Sequence, residues 1–230
     1  MGTINNHQPY KGFETTIRVA IGRVMPPSTP ISVTLGAAAA AAATSLTVTA
    51  LGSPIDVGNW LQFVDSNGLE YLARVAANAA SAATTITVDA LVEAIPNGSV
   101  AKFPSELFDR KNVDTDRKYN TKDIYTLNTG GQRTIVAVSG EKSIKAAGFY
   151  HHYNAGYRIC EQEGEAKRQV WVYVEYPPPG VNFSKGQVEI FRSVITNLPK
   201  ASDAEDFVQG DVEFEVTGAN IPSIAPVLAP

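Results

Sequence analysis

Three side chains in this sequence have types that could do chemistry and stand near one another: His151, His152 and Cys160. Imidazole and thiolate are common zinc ligands, and they also pair as base and nucleophile. The spacing supports neither use. Adjacent histidines on an extended segment point to opposite faces, and no further histidine or carboxylate stands at a recognised ligand spacing, His7 being far away in the N-terminal arm. Cys160 reads as a small apolar residue on a helix stripe. Glu213 and Glu215 occupy alternate positions of a strand, an arrangement that more often makes a solvated face than acid–base machinery. No Gly-x-Ser-x-Gly elbow, phosphate loop or dinucleotide fingerprint occurs. The expectation is a protein without enzymatic activity, metal or cofactor.

Two charge features remain. Between Asp109 and Asp123 the chain carries Arg110, Lys111, Asp114, Asp116, Arg117, Lys118, Lys122 and Asp123. A mixed run of this kind reads either as a solvated loop or as a contact loop that pairs charges with a neighbouring subunit. Further on, Asp211, Glu213 and Glu215 form an acidic row, preceded by Asp203, Glu205 and Asp206, with Lys200 the only lysine in that stretch.

The elements that must position these residues are mostly strands. Val170 to Tyr176 alternates with period two, putting Val170, Val172 and Val174 on a buried face and Trp171, Tyr173 and Glu175 on the other. Pro177, Pro178, Pro179 and Gly180 end it, because three successive residues lack the N–H a ladder needs. A strand from Gln187 to about Ile195 follows. Asp211 to Thr217 then alternates, with Val212, Phe214 and Val216 inward. Upstream, Phe13 to Ile21 is a strand with Thr15, Ile17, Val19 and Ile21 on one face; Thr134 to Val138 and Lys142 to Phe149 read as a hairpin turning at Ser139-Gly140. Asn154 caps a helix over Ala155 to Glu163, with Gly164 after its end and Ala155, Gly156, Ile159 and Cys160 as its buried stripe. Leu198 to Gly210 reads as an acidic loop, and the proline-bearing tail from Gly218 as irregular.

From Ile31 to Phe103 the composition shifts to Ala, Thr, Ser and Val, and the sequence repeats forty residues apart, Ala41 to Phe63 on Ser81 to Phe103. Each unit reads as strand, Gly turn and strand. Glu70 to Ala76 reads as a further strand between the units, entered through an Asp65 to Gly68 turn. The alanine run Ala37 to Ala43 has helix propensity, yet Ala82-Ala83-Thr84 holds the matching place before a strand, which favours a loop or strand approach. The domain reading is therefore 1–30 with 104–230 as one β domain and 31–103 as an inserted β module.

The 230 residues, 44% of them hydrophobic, suffice for a real core. A net charge of −4 argues against a surface that grips nucleic acid by neutralising phosphates. One cysteine excludes an internal disulfide and fits a reducing cytosol. No run of 18 apolar residues and no apolar signal core appear, so no membrane partner is expected.

The order of strand, charged stretch, hairpin, capped helix and three long strands resembles the major tail tube proteins of tailed bacteriophages. The resemblance covers roughly 13–22 and 104–220. Its most specific pieces are the strand ending in Tyr176-Pro177, Gly186 opening the next strand, and the closing strand ending Val216-Thr217-Gly218. It implies a β-sandwich or barrel-like fold flanked by one helix. It further implies hexameric rings that stack into a hollow virion tube, assembled in the host cytoplasm, through which DNA passes without specific binding. Terminator, baseplate or tip, and sheath proteins would be further partners. Under this reading the run from Arg110 to Asp123 makes contacts between rings, the row Asp211, Glu213, Glu215 lies in the lumen or an interface, and the module sits on the outside. A capsid decoration protein, equally β-rich and without chemistry, is the alternative.

Overall fold

The computed structural model describes residues 15–107, 110–125, 133–148, 153–179, 183–198, 200–201, 209–217, 224–225 and 227–228. In chain order the strands are β1 (Thr16–Ala20), β2 (Ile31–Thr34), β3 (Ser45–Thr47), β4 (Trp60–Val64), β5 (Glu70–Arg74), β6 (Thr85–Thr87), β7 (Val100–Phe103), β8 (Ser105–Leu107), β9 (Arg110–Tyr125) and β10 (Arg133–Gly148). Helix α1 (Ala155–Glu165) follows. The remaining strands are β11 (Gln169–Glu175), β12 (Phe183–Lys185), β13 (Val188–Asn197), β14 (Lys200–Ala201), β15 (Gln209–Gly210), β16 (Val212–Val216) and β17 (Val227–Leu228). The protein is mainly β, as its alternating patterns lead one to expect.

Seven strands pair antiparallel in the order β8-β1-β11-β13-β16-β10-β9. On one face Ile17, Val19, Val170, Val172, Val174, Phe191, Val212 and Phe214 pack with Tyr157, Ile159 and Cys160 of α1. Asn154 caps that helix as expected, accepting the Tyr157 N–H through Oδ1 at 2.8 Å. Gly156 lies so close to β8 that a Cβ there would stand 2.6 Å from the Glu106 carbonyl oxygen. Helix packing on the sheet thus depends on a glycine. The helix runs past the expected stop: Gly164 is inside it and Ala166 is its C-cap. The buried stripe also gains Tyr157 and Glu163, the latter held by the Arg168 guanidinium through two bonds at 2.7 and 2.8 Å.

The alternation of β11 predicts one buried face, but both are buried. Trp171 and Tyr173 pack with Val188 and Ile190, under the segment that follows β1: the Trp171 Nε1–H donates to the Gly22 carbonyl at 3.0 Å and the Tyr173 hydroxyl to that of Pro26 at 2.8 Å. Pattern alone misses this because the covering segment is irregular and proline-rich. Gly186 is required for a different reason, since a Cβ would stand 1.6 Å from the Tyr176 carbonyl oxygen. The tail is not wholly irregular either: Phe183 and Lys185 of β12 pair with Leu228 and Val227 of β17, and Ile224 bridges to Val188.

Residues 31–103 form a four-stranded sheet, β2-β7-β4-β5, and a two-stranded one, β3-β6, around a second core that includes Leu46, Phe63, Ile86 and Phe103. The repeat is visible as a pseudo-two-fold. Leu46 of β3 pairs with its own equivalent, Ile86 of β6. The bridges Leu35 to Val48 and Ala39 to Ile95 recur as Val75 to Val88 and Ala79 to Ile55, and Ala42 and Ala82 share positive φ values of 63 and 64. The alanine run is non-helical, as its match to the second copy suggests. One expectation is corrected: β5 does not lie between the units but opens the second, as β2 opens the first. The divergence of Tyr71, Leu72, Ala73 and Arg74 from Ile31, Ser32, Val33 and Thr34 hides this in the sequence. The Asp65 turn is as expected, with Oδ1 accepting the Asn67 and Leu69 N–H groups at 2.8 and 2.9 Å.

Candidate assembly surfaces

Cys160 is buried in α1 and forms no disulfide, and no group of three His, Cys, Asp or Glu among the described residues could hold a metal. His7, His151 and His152, the N-terminal arm, and Ser202 to Val208 of the acidic stretch lie outside the described residues. No helix among the described residues is long and apolar enough to cross a membrane. A cleft of about 950 Å³ at the junction of module and main sheet contains Arg74, Arg168 and Arg192. Their guanidinium groups are engaged by Gln162 and Asp89, by Glu163, and by Gly22 and Gln169.

The charged run is neither form of loop. Arg110 to Tyr125 is a single 16-residue strand paired along β10, and the expected turn at Ser139-Gly140 is a register shift between Ala137 and Ser139 within that ladder. The backbones of Arg110, Lys111, Asp114, Asp116, Arg117, Lys118, Lys122 and Asp123 therefore all lie on one edge strand. β10 pairs with β16 only from Ser143 to Ala146. From Arg133 to Lys142, the two strands of the hairpin have no partner among the described strands but each other.

Lys142 marks the point of departure. Its side chain is 8% exposed, and its ammonium nitrogen sits 2.9 Å from Glu189 Oε2 and 3.9 Å from the centroid of the Phe191 ring. The Tyr176 hydroxyl donates to the same carboxylate oxygen at 3.2 Å. This ion pair ties the root of the hairpin to β13, and no spacing in the sequence announces it.

On the face opposite α1, the acidic row is broader than the sequence suggests. Glu213 stands in register with Lys145 and Lys145 with Asp114; Glu215 stands in register with Ser143 and Ser143 with Asp116. Lys145 Nζ is 2.9 Å from Glu213 Oε1, and Asp211 Oδ1 accepts the Gly148 N–H at 3.1 Å. Asp114, Asp116, Glu141 and Glu215 are exposed. Strands distant in sequence thus bring these acids to one surface, where Lys145 stands between Asp114 and Glu213 and Lys118 is in register with Glu141.

The hydrogen bond from Lys145 holds the Glu213 carboxyl below its ordinary range, against a smaller opposing effect of burial. A group depressed in the folded state contributes stability above its unfolded pKa and loses it as pH falls through the folded value. Lys145→Ala should therefore lower the urea midpoint slightly at pH 7, and the difference from the parent should shrink as the pH falls below the ordinary carboxylate range. A difference that persists in acid would mean that the ion pair is not its source.

Two solved structures are similar to the chain over about half its length. A chain in the tail of an empty GTA particle of C6 symmetry matches 49% of this chain and 81% of its own, at 16% identity and a TM-score of 0.40. A chain in the virion of a native gene transfer agent (GTA) particle matches 53% and 85%, at 16% identity and a TM-score of 0.39. Both come from gene transfer agent particles. No family model and no curated protein matches the chain.

Proposed function

We propose that this protein is a structural subunit of a phage-type virion tail, forming six-membered rings that stack into a hollow tube for the passage of DNA. The observation that carries the self-assembly part is the β9–β10 hairpin, whose stretch from Arg133 to Lys142 pairs with no described strand but β9. An isolated two-stranded hairpin is marginal in water, and a 16-residue edge with no further partner among the described strands is a template for pairing with another chain. Such an element is retained when a neighbouring subunit completes it. The six-fold number and the tube come from the resemblance in strand order and in the Tyr176-Pro177, Gly186 and Val216-Thr217-Gly218 positions.

In this reading the hairpin edge from Arg110 to Asp123 contacts the next ring, and the acidic face of β16, β10 and β9 lines the passage. A wall on which Asp114, Asp116, Glu141, Asp211, Glu213 and Glu215 outnumber Lys145 and Lys118 repels the duplex on balance, whereas a cationic wall would condense on phosphates and retard it. The module of residues 31–103 stands on the outer wall. Further partners are the terminator, the baseplate or tip and, in a contractile tail, a sheath.

The test reverses charge on the hairpin edge. Arg117→Glu combined with Lys118→Glu should shorten or abolish tubes in electron micrographs while circular dichroism of the subunit stays unchanged. The effect multiplies over many copies, since each exposed pair is worth only about 0–1 kcal/mol. Tubes of parental length would remove the hairpin from the stacking contact, and absence of six-membered rings from the parent protein would remove the tail reading itself.

A further inference from the structure

The cleft between module and main sheet holds cations that its own contacts do not neutralise. Four arginines line it against two acids, Asp56 and Glu163. Arg168 is paired with Glu163, and Arg74 with Asp89. Arg23 and Arg192 form no ion pair among the described residues. The Arg192 guanidinium is held by neutral groups, the Gly22 carbonyl and Gln169 Oε1, and lies 4.8 Å from the centroid of the Trp171 ring. Arg23 is exposed, and its backbone N–H donates to Asp56 Oδ2 at 3.2 Å.

Apolar surface stands beside these charges. Val24, from the segment after β1, and Val57, from the module, line the same cleft and are 75% and 46% exposed. The walls are held in place without a ligand. Gln162 Oε1 of α1 accepts the Trp60 Nε1–H at 3.3 Å and the Arg74 Nε–H at 2.8 Å, and the Val57 N–H donates to Asn78 Oδ1 at 2.7 Å. A preformed cleft with guanidinium groups beside aliphatic ones suits carboxylates followed by an apolar side chain.

The densest acidic run in the sequence has that composition. Asp203, Glu205 and Asp206 put three acids in four positions, as no other four-residue window does, and Phe207 and Val208 follow them. No lysine or arginine occurs from Ala201 to Pro230. The ends of the segment are fixed, because Ala201 pairs with Gln209 and Lys200 with Gly210. Those ends lie on the β10 side of the sheet, where Asp211 takes the Gly148 N–H. Arg192 lies at the other end of β16, where its carbonyl accepts the Thr217 N–H at 2.9 Å. Asp211 to Thr217 in extended form spans about 20 Å, while the acids stand within about 14 Å of their paired ends. The run thus falls short of the cleft in its own chain, and a neighbouring copy has to supply it.

We propose that the run from Asp203 to Asp206 of one subunit enters the cleft of a second copy of this chain, its carboxylates on Arg23 and Arg192 and Phe207 against Val24 and Val57. The inference rests on the self-assembly reading above and deepens it by naming a contact between subunits. Run and cleft are different surfaces, so the contact is heterologous and its repetition closes a ring or grows a filament.

The experiment uses the full chain. Val24→Cys chains are mixed with Ala204→Cys chains and treated with a short bismaleimide. Covalent dimers are expected in the mixture and in neither variant alone; Val24 is exposed and Cys160 is buried. Separately, Arg23→Glu, or Glu205→Lys with Asp206→Lys, should raise the concentration needed for assembly about tenfold, and all three changes in one chain should restore it. Six-membered rings in micrographs without dimers in the mixture, or no recovery in the combined chain, would overturn the contact and leave the tail reading standing. A cross-link inside single chains that carry both cysteines, held below the assembly concentration, would overturn it too, since the run would then fill its own cleft. Recovery of the reversed acids by Lys118→Glu instead of Arg23→Glu would move them to β9 and overturn the cleft assignment. Dimers from a protein that never forms rings would uphold the contact and defeat the tail reading.

Discussion

Lys142→Ala should lower the unfolding free energy by about 3 kcal/mol, the cost of breaking a buried ion pair from one side. The geometry sets the size. The Lys142 and Glu189 side chains are 8% and 21% exposed and 2.9 Å apart, so removing the ammonium group strands a carboxylate that water reaches poorly. Contact with the Phe191 ring is lost as well. The penalty should fall where β10 leaves β16, so amide exchange ought to quicken at the root of the hairpin before it does in β11 or β13. A companion variant separates charge from packing: Lys142→Met with Glu189→Gln removes both charges and keeps an acceptor for the Tyr176 hydroxyl, and it should recover most of the loss. Urea denaturation measures both. A single-variant cost below about 1 kcal/mol would show that the pair is hydrated and does not brace the hairpin.

Asn59→Ser should cost about 2–3 kcal/mol and loosen the module from the main sheet. Asn59 has no exposed surface. Its Oδ1 accepts the Ile21 N–H at 2.8 Å, and its Nδ2 donates to the carbonyls of Ile21 at 2.9 Å and Asp56 at 2.8 Å. The repeat supplies the substitution, for the equivalent residue is Ser99, whose hydroxyl donates to the Pro96 carbonyl at 2.8 Å. Serine at 59 would keep the local bond to Asp56 and abandon both groups of Ile21, where β1 gives way to the chain leading into the module. Faster proteolysis within residues 22–30, alongside the lowered midpoint, is the expected signature. Unchanged proteolysis would mean that Trp60 and Arg74, through Gln162, hold the module without Asn59.

Legibility followed how local the cause of each feature is. Strands β1, β13 and β16 and the buried valine face of β11 could be read because alternation with period two is a property of neighbouring residues. The Asn154 cap, the Asp65 turn and the forty-residue repeat are equally local in origin. β9 was illegible: around Val113 its two faces are charged or polar throughout, so no apolar stripe marks it, and its extended form is imposed by the ladder to β10. The second buried face of β11 was hidden because Gly22 to Pro26, some 150 residues earlier in the chain, supplies the cover.

The sequence alone thus determined strands β1, β11, β13 and β16, the capped helix, the forty-residue repeat and the absence of any recognised catalytic motif, all of which depend on residue type and short-range spacing. Tertiary structure decided what stands beside what. It turned a mixed-charge run into an edge strand, gathered Asp114, Asp116 and Glu141 with Glu213 and Glu215 on one face, and put Lys142 against Glu189 at the hairpin root. Pairing across a sheet is chosen by the sum of many distant contacts, and no window of neighbouring residues contains that sum.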